Sequence, residues 1–564
     1  MAQQAGTWPI FKSLAGYSPG NLGGDLVAGL TLAAIAVPEQ MATARLGGFG
    51  PEIGFFAFIA GSLGFAVFGS NRFMSVGADS TITPIFAGGL AALAAQASGH
   101  PEMAALLALM VGIIVAAGGV FRLGWIADLL SVPVTTGFLA GIAVHILVSQ
   151  LPGLLGIPSP SGSLPHQIRA IMGALGRTNP YSLALGLGVF AVTAGGERIS
   201  AKIPGALIGL AAATAATVLL GLEGKGVSVL GSLEGRLPEI ALPARTIDEI
   251  VPLLPLALIV ALVVMVQTAA TSRSFPGAKD EAPDVNRDFI GVGAGSILAG
   301  LIGSFPVNAS PPRTAIVSET GGRSQLAGLA AALIVLGLAL FGASLLAHVP
   351  HAALAGILLF VAQRIIRLQI MADTYRRTSA EFVLVLATAA AIVAMPIEIG
   401  VATGIVLSLM HGMWTTTRAR VIELQRVPGT SIWWPPAPSF HGEVVPGVIV
   451  VAFQAPLSFL NAYEFEHGFR KAVDRSEAEA RLVVLEASNI VEIDYTAAKV
   501  METLIAHYRS AGVAFAVSRL ESVRAQEAFR RFGLLDLLGP DSLFHSAQEA
   551  VNALAGSAAA PLAS

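Results

Sequence analysis

Ser75-Val76-Gly77-Ala78-Asp79-Ser80-Thr81-Ile82-Thr83-Pro84 and Pro306-Val307-Asn308-Ala309-Ser310-Pro311-Pro312-Arg313-Thr314 open two otherwise apolar segments with polar and helix-breaking residues. Inside a bilayer, non-helical backbone survives only where protein or a water-filled cavity satisfies its N–H and C=O groups. The break at Ser75 follows the apolar run that starts at Leu26 much as the break at Asn308 follows the run that starts at Ile250. Matching breaks in two halves of a chain point to an inverted-repeat transporter whose substrate sits between half-helices. Each half-helix would start mid-membrane with unpaired N–H groups and about half a positive charge from its dipole. Two such ends facing each other beside Arg313 make an anion site. The competing reading is that Pro84, Pro311 and Pro312 only kink packed helices. The paired occurrence and the neighbouring arginine weigh against it.

Composition supports a membrane setting. The chain has 564 residues, 54% of them hydrophobic and only 12% charged, against roughly 25% charged in soluble proteins; the mean hydropathy is +0.72. Residues 441–564 carry 25 of the charged residues and the first 440 carry 44, so an apolar body is followed by a tail of soluble composition. The absence of cysteine excludes disulfides, thiolate metal sites and a cysteine nucleophile. A net charge of -3 gives no reason to expect nucleic acid.

Cut at Gly, Pro and polar residues, the body yields about fourteen segments near 26–46, 53–71, 80–98, 103–121, 129–150, 178–196, 203–222, 250–272, 289–305, 313–320, 324–347, 350–366, 381–397 and 399–417. Most approach the ~20 residues that cross a bilayer. The long runs Leu129–Ile168 and Ser324–Gln363 are divided at Pro152-Gly153 and at His348-Val349-Pro350. Met1–Asn21 reads as a short segment before a retained first span, not as a cleaved signal. With a cytoplasmic N-terminus, the even-numbered connections hold Arg72, Arg122, Arg198, Lys202, Arg273, Lys279, Arg287, Arg323, Arg364, Arg367, Arg376 and Arg377. The other side holds chiefly Arg169, Arg177, Lys225, Arg236 and Arg245. The positive-inside rule then places both termini in the cytoplasm, and the compact loops and Ala/Gly richness fit a bacterial inner membrane.

The expected organisation is residues 1–22 as a cytoplasmic segment, 23–425 as the membrane domain, 426–440 as a linker, 441–556 as a compact α/β domain and 557–564 as a tail. Arg418 and Arg420 follow the last span, and Trp433 and Trp434 are expected at the headgroup level. In the α/β domain, Val448–Phe453, Arg481–Leu485 and Val513–Val517 read as buried strands; Leu457–Val473, Thr496–Tyr508 and a stretch from Glu521 read as helices.

Val37-Pro38-Glu39-Gln40-Met41-Ala42-Thr43-Ala44-Arg45-Leu46, Gly69-Ser70-Asn71-Arg72 leading into Ser75-Val76-Gly77, and Arg313-Thr314 followed by Gly321-Gly322-Arg323-Ser324-Gln325-Leu326-Ala327-Gly328 resemble the SulP family of anion transporters, relatives of prestin. The tail resembles the STAS domain of that family, with Leu482-Val483-Val484-Leu485 leading to Ile493-Asp494-Tyr495-Thr496-Ala497. The resemblance implies a polytopic α-helical membrane protein of two inverted sets of seven segments, a core moving against a gate, a cytoplasmic STAS domain, and a homodimer. It places the small anionic substrate near Gln40, Asp79, Ser80, Ser310, Pro312 and Arg313, with backbone N–H groups supplied by Gly77 and Ala78.

Two departures matter. Many members carry a carboxylate, associated with cation or proton coupling, where this chain has Gln267. Asp79 in turn lies where relatives often have an uncharged residue, and an ionised carboxylate there would repel an anion. Asp79 therefore reads either as the substitute coupling group or as a cap of the third half-helix, with Arg45 and Arg313 as candidate partners. Glu39 is a second intramembrane acid and a coupling candidate. The coupling ion would be H+ or Na+, and no other cofactor is expected. His145, His348 and His351 lack partners at metal-ligand spacing. Gly291-Val292-Gly293-Ala294-Gly295 reads as a helix-packing surface, not a nucleotide loop. Thr496 reads as the cap of the helix it begins, over a phosphorylated hydroxyl. The expected function is proton-coupled uptake of sulfate, bicarbonate or a dicarboxylate such as fumarate; the alternative is an uncoupled exchanger or channel. No enzyme motif is found.

Overall fold

The computed structural model describes residues 10–14, 17–94, 100–125, 131–160, 164–200, 203–231, 247–275, 284–417, 420–437, 442–474 and 480–555. Lys202, Arg236, Arg245, Lys279, Arg418 and His441 lie outside the described residues. The body runs α1 (Leu22–Leu46), α2 (Pro51–Phe68), β1 (Val76–Gly77), α3 (Thr83–Ala94), α4 (His100–Val120), α5 (Val132–Leu155), α6 (Leu164–Ala174), α7 (Pro180–Ile199) and α8 (Gly205–Leu219). It continues with α9 (Ile247–Ser274), α10 (Val285–Leu301), β2 (Asn308–Ala309), α11 (Pro311–Glu319), α12 (Leu326–Phe341) and α13 (Ala343–Leu346). After these come α14 (His351–Ile365), α15 (Leu368–Arg377), α16 (Ser379–Ala394) and α17 (Ile397–Thr417). Among the described residues, six helical stretches are long and apolar enough to cross a membrane, with shorter apolar helices beside them.

The fourteen expected segments correspond to α1–α5, α7–α12, α14, α16 and α17. One cut is corrected: α5 passes through Pro152 and ends at Gly156, whose φ of 67° stops the helix. Pro152 removes a single N–H near the end of a buried helix, and the left-handed glycine that follows supplies the stop. The cut before His351 stands, since α14 starts there behind Pro350.

Packing partners recur between the halves. α2 lies on α12 as α10 lies on α4, and α1 lies on α12 as α9 lies on α4; α5 packs on α16 and α7 on α14. One bundle holds α1–α4 and α9–α12, a second holds α5, α7, α8, α14 and α16, and α1 touches both. Without water to drive apolar faces together, membrane helices associate through small residues that let backbones approach. A Cβ on Gly64 of α2 would stand 2.3 Å from the Gly295 nitrogen of α10. Gly291 faces Phe65 and Gly69, while Gly293 faces α4 at Gly112 and Ala116, so the glycine run is a packing surface on two sides.

After Ser408 the chain forms a second compact unit. Its sheet has the order β4-β3-β5-β6-β7-β8, from β3 (Val421–Arg426), β4 (Trp433–Trp434), β5 (Val448–Phe453), β6 (Leu482–Glu486), β7 (Ala514–Ser518) and β8 (Leu543–Phe544). The last four pair in parallel, while β3 and β4 are antiparallel. Helices α18 (Ala462–Asp474), α19 (Tyr495–Ser510), α20 (Val523–Arg531) and α21 (Leu534–Leu538) pack around Phe465, Phe469 and Phe529, and α22 (Ala547–Leu554) covers the other face.

This unit takes in residues that the sequence assigned to the membrane domain and the linker. β3 buries Leu424 against β5, and Trp433 donates to Gln548 Oε1 at 3.1 Å from within β4. Trp433 and Trp434 are therefore strand residues of this unit. Arg426 donates to Glu443 through Nε (3.0 Å) and Nη2 (2.7 Å), fastening the stretch between them. Asp494, not Thr496, caps α19: its Oδ1 accepts from the Ala497 N–H at 2.9 Å and its Oδ2 from the Phe459 N–H at 2.6 Å.

Candidate functional site: a cavity between two broken helices

The two quoted stretches meet. β1 and β2 pair antiparallel, with Val76 opposite Ala309 and Gly77 opposite Asn308, and the Ser310 N–H donates to the Ser75 carbonyl at 3.0 Å. This ladder supplies the partners that unwound backbone needs at membrane depth. Thr314 fastens it from α11, accepting from the Ser75 N–H (3.1 Å) and donating to the Ser310 carbonyl (2.7 Å). From α1, the Gln40 amide brackets one residue: Oε1 accepts from the Ala78 N–H at 2.8 Å and Nε2 donates to the Ala78 carbonyl at 3.1 Å.

Arg313, at the start of α11, is fully buried. Its Nη1 donates to Glu39 Oε1 at 3.0 Å and to the Ala78 carbonyl at 3.1 Å, and its Nε to Ser75 Oγ at 3.3 Å. Its Nη2 is buried with no hydrogen-bond partner. An unsatisfied donor on a charged group costs about 1–3 kcal/mol or more, and a guanidinium presents a planar fork suited to oxyanions. On the opposite half-helix, Asp79 Oδ1 accepts from the Thr81 N–H (2.9 Å) and from the Thr81 hydroxyl. Gln267 Nε2 donates to that hydroxyl at 2.7 Å, and Gln267 Oε1 accepts from Asn308 Nδ2. A polar chain thus runs from β2 through α9 to Asp79.

A cavity of about 310 Å³ opens beside these groups. Glu39, Asp79, Ser80, Gln267, Ser310, Pro312 and Arg313 line it from one bundle, and Thr135, Leu139, Ile357, Phe360 and Arg364 from the other. Three expected contacts change. Gln40 is fully buried behind the wall and clamps Ala78; neither it nor Gly77 nor Ala78 lines the cavity. The Ala78 N–H is already taken by Gln40 and is not free for an anion. The start of α11 offers few backbone donors, because Pro311 and Pro312 have no N–H. Positive charge on that side comes from the Arg313 side chain. Among the described residues Asp79 pairs with neither Arg45 nor Arg313; Arg313 takes Glu39 instead. Sequence spacing showed no sign of that pair or of the contacts of Thr81 and Asn308 with Gln267, since Gln267 lies in a distant segment. His145 Nε2 lies 2.7 Å from the Ile392 carbonyl, within the second bundle.

This arrangement is a transporter core, with crossed half-helices and a cavity between two helical bundles. The chain belongs to the sulfate permease family, whose profile matches residues 22–388, and the STAS domain profile matches residues 440–550. A Mycobacterium tuberculosis protein named as a probable sulfate transporter is 32% identical over 550 residues, covering 96% of this chain and 98% of that one. The murine Solute Carrier 26 family member A9 anion transporter, in its inward-facing state, superposes with a TM-score of 0.88 at 20% identity over 96% of this chain and 93% of that one. The transmembrane domain of a cyanobacterium bicarbonate transporter gives 0.61 at 23% identity, covering 70% and 97%. The fold is that of a multi-pass membrane transporter with a STAS domain.

Proposed function

We propose that the chain is a secondary active transporter that carries a small anion together with a proton by alternating access, in the inner membrane of a bacterium. The observation that carries this reading is the Glu39–Arg313 ion pair at the cavity wall. Glu39 is an internal anion that occupies the guanidinium a substrate would need. Protonating Glu39 removes the competing charge and frees Arg313, so proton and anion bind together; deprotonation restores the pair and expels the anion. Ser80 and Ser310 add hydroxyls beside it. Asp79 is the second candidate for the proton, since it also faces the cavity.

Sulfate is the first substrate to test, because relatives carry that name; bicarbonate and a dicarboxylate such as fumarate follow, as acceptor-rich anions that Arg313 can hold. Both termini in the cytoplasm and a homodimer complete the proposal. An uncoupled exchanger or channel is the second reading, favoured by Gln267, an amide that cannot carry a proton at the eighth-segment position. Uptake of labelled sulfate, bicarbonate and fumarate into proteoliposomes, with and without an inward proton gradient, separates the two. Gradient-driven accumulation of one anion supports symport; equilibration without accumulation supports the exchanger or channel.

A further inference from the structure

A groove of about 480 Å³ lies where the ends of α2 and α4 meet the start of α10. Phe68, Val120 and Ile290 give it apolar walls, and Arg122 and Arg287 give it charge; it shares no lining residue with the transport cavity. On α4, Val120 stands two helical turns beyond Ile113, and both are exposed, so an apolar stripe runs along that helix to the groove. Phe121 and Trp125, also exposed, follow directly. Aromatic residues at the end of an apolar stripe mark the passage from bilayer core to headgroup level, and the groove lies at that passage.

Asp284 is the one acid among the described lining residues, and its carboxylate is already engaged. Its Oδ2 lies 3.7 Å from Lys12 Nζ and its Oδ1 accepts from the Arg287 N–H at 3.2 Å. The Phe11 N–H donates to the Val67 carbonyl at 2.6 Å, which keeps Lys12 beside the groove. The Arg122 guanidinium, by contrast, makes no hydrogen bond or ion pair among the described residues. Arg122 also has a φ of 57°, the left-handed region where the end of a helix favours glycine. An arginine kept in that conformation points to a use for its side chain. We propose that the groove holds the headgroup of an anionic phospholipid, with Arg122 and Arg287 on the phosphodiester and an acyl chain along Val120 and Ile113. Basic pockets between membrane helices suit such headgroups, and the guanidinium fork matches a pair of phosphate oxygens. The bound lipid braces the ends of three helices of the first bundle. The plain account is that Arg122 and Arg287 only orient the chain in the membrane through the excess of cations on one side, in which case any phospholipid fits equally well.

Lipid retention separates the two. The full chain, purified in detergent and offered phosphatidylglycerol and phosphatidylcholine in equal amounts, should retain phosphatidylglycerol about three- to tenfold over phosphatidylcholine, counted after extraction. Arg122→Gln should remove most of that preference, Arg122→Lys should keep part of it, and high salt should weaken it. Arg323→Gln, which removes an exposed arginine elsewhere on the same side, should leave it intact. Arg122→Gly removes the charge while relieving the backbone, so loss of the lipid with an unchanged or higher melting temperature distinguishes a lost site from a lost fold. No preference in the wild type, or an equal loss in Arg323→Gln, overturns the site and leaves the arginines as orientation signals. Displacement of phosphatidylglycerol by inorganic phosphate means that the groove takes a soluble anion, and refutes the lipid assignment. Retention is read without transport, so a protein that moves none of the three anions refutes the transport reading alone.

Discussion

Replacing Glu39 by Gln tests the heart of the coupling proposal. The amide keeps an acceptor where Oε1 lies, 3.0 Å from Arg313 Nη1, so one hydrogen bond survives while the competing negative charge is lost. Arg313 also keeps the Ala78 carbonyl and Ser75 Oγ, and the fold should tolerate the change. Opposite charges about 4 Å apart attract by about 4 kcal/mol at an effective dielectric of 20; desolvation of the free guanidinium offsets much of this, so a gain of about tenfold in anion affinity at alkaline pH is the expected scale. The larger effect is on accumulation. One pH unit is worth about 1.4 kcal/mol per proton, a tenfold concentration ratio. Wild-type proteoliposomes with an interior one unit more alkaline should therefore concentrate a singly charged substrate up to about tenfold, and Glu39→Gln vesicles should only equilibrate it. Uptake at fixed anion concentration and varied pH gradient, with membrane potential clamped, measures both. Accumulation by Glu39→Gln with the wild-type pH slope refutes the argument. Asp79→Asn, run beside it, then shows whether the proton sits on the opposite half-helix.

Other expectations follow from single contacts. Gln40→Ala leaves the buried Ala78 N–H unpaired, at a cost of about 1–3 kcal/mol, and its carbonyl with Arg313 Nη1 alone. It should lower the maximal uptake rate and the melting temperature in detergent while leaving the pH dependence of uptake unchanged. Gly64→Ala places a Cβ 2.3 Å from the Gly295 nitrogen; overpacking of this kind costs about 1–3 kcal/mol, and thermal unfolding in detergent should show the loss where a substitution at open Gly188 does not. In the second unit, burial raises the Glu423 carboxyl above its ordinary value of 4.5. The folded state then holds that proton more tightly than the unfolded one, so its contribution is full at pH below 4.5 and is lost as pH rises through the raised value. Glu423→Gln should accordingly raise the thermal midpoint of a fragment spanning residues 420–555 at pH 7 more than at pH 4, measured by calorimetry.

The fold was legible because its oddest features are local. A run of Ser, Gly, Asp and Thr inside an apolar segment, and a Pro-Pro-Arg inside another, cannot belong to a simple span, and β1 and β2 lie at those places. The glycine run at 291–295 was equally readable, since small residues at such density serve packing. What failed depended on distant partners. Pro152 looked like a boundary because a proline's cost in mid-helix is visible, whereas the stop at Gly156 depends on a backbone angle. β3 looked like the end of the membrane domain and β4 like linker, because β5 and Gln548, which hold them, come from later in the chain. Glu39 and Arg313 stand 274 positions apart, and Gln40 looked like a ligand although its amide is spent on Ala78.

The Glu39–Arg313 pair also bears on how the membrane voltage acts. A carrier must return empty, and a lone buried guanidinium would drag a full positive charge through the field, at about 2.3 kcal/mol per 100 mV. With its own counterion attached, Arg313 contributes nothing to that work, and the empty return becomes electrically silent at this pair. Under the proposed proton coupling, the loaded crossing would move only the charge of the cargo: none for a singly charged anion with its proton, and one negative charge for sulfate with one proton. At this pair, under the proposed coupling, the valence of the substrate would decide whether the cell's potential helps or opposes the traffic.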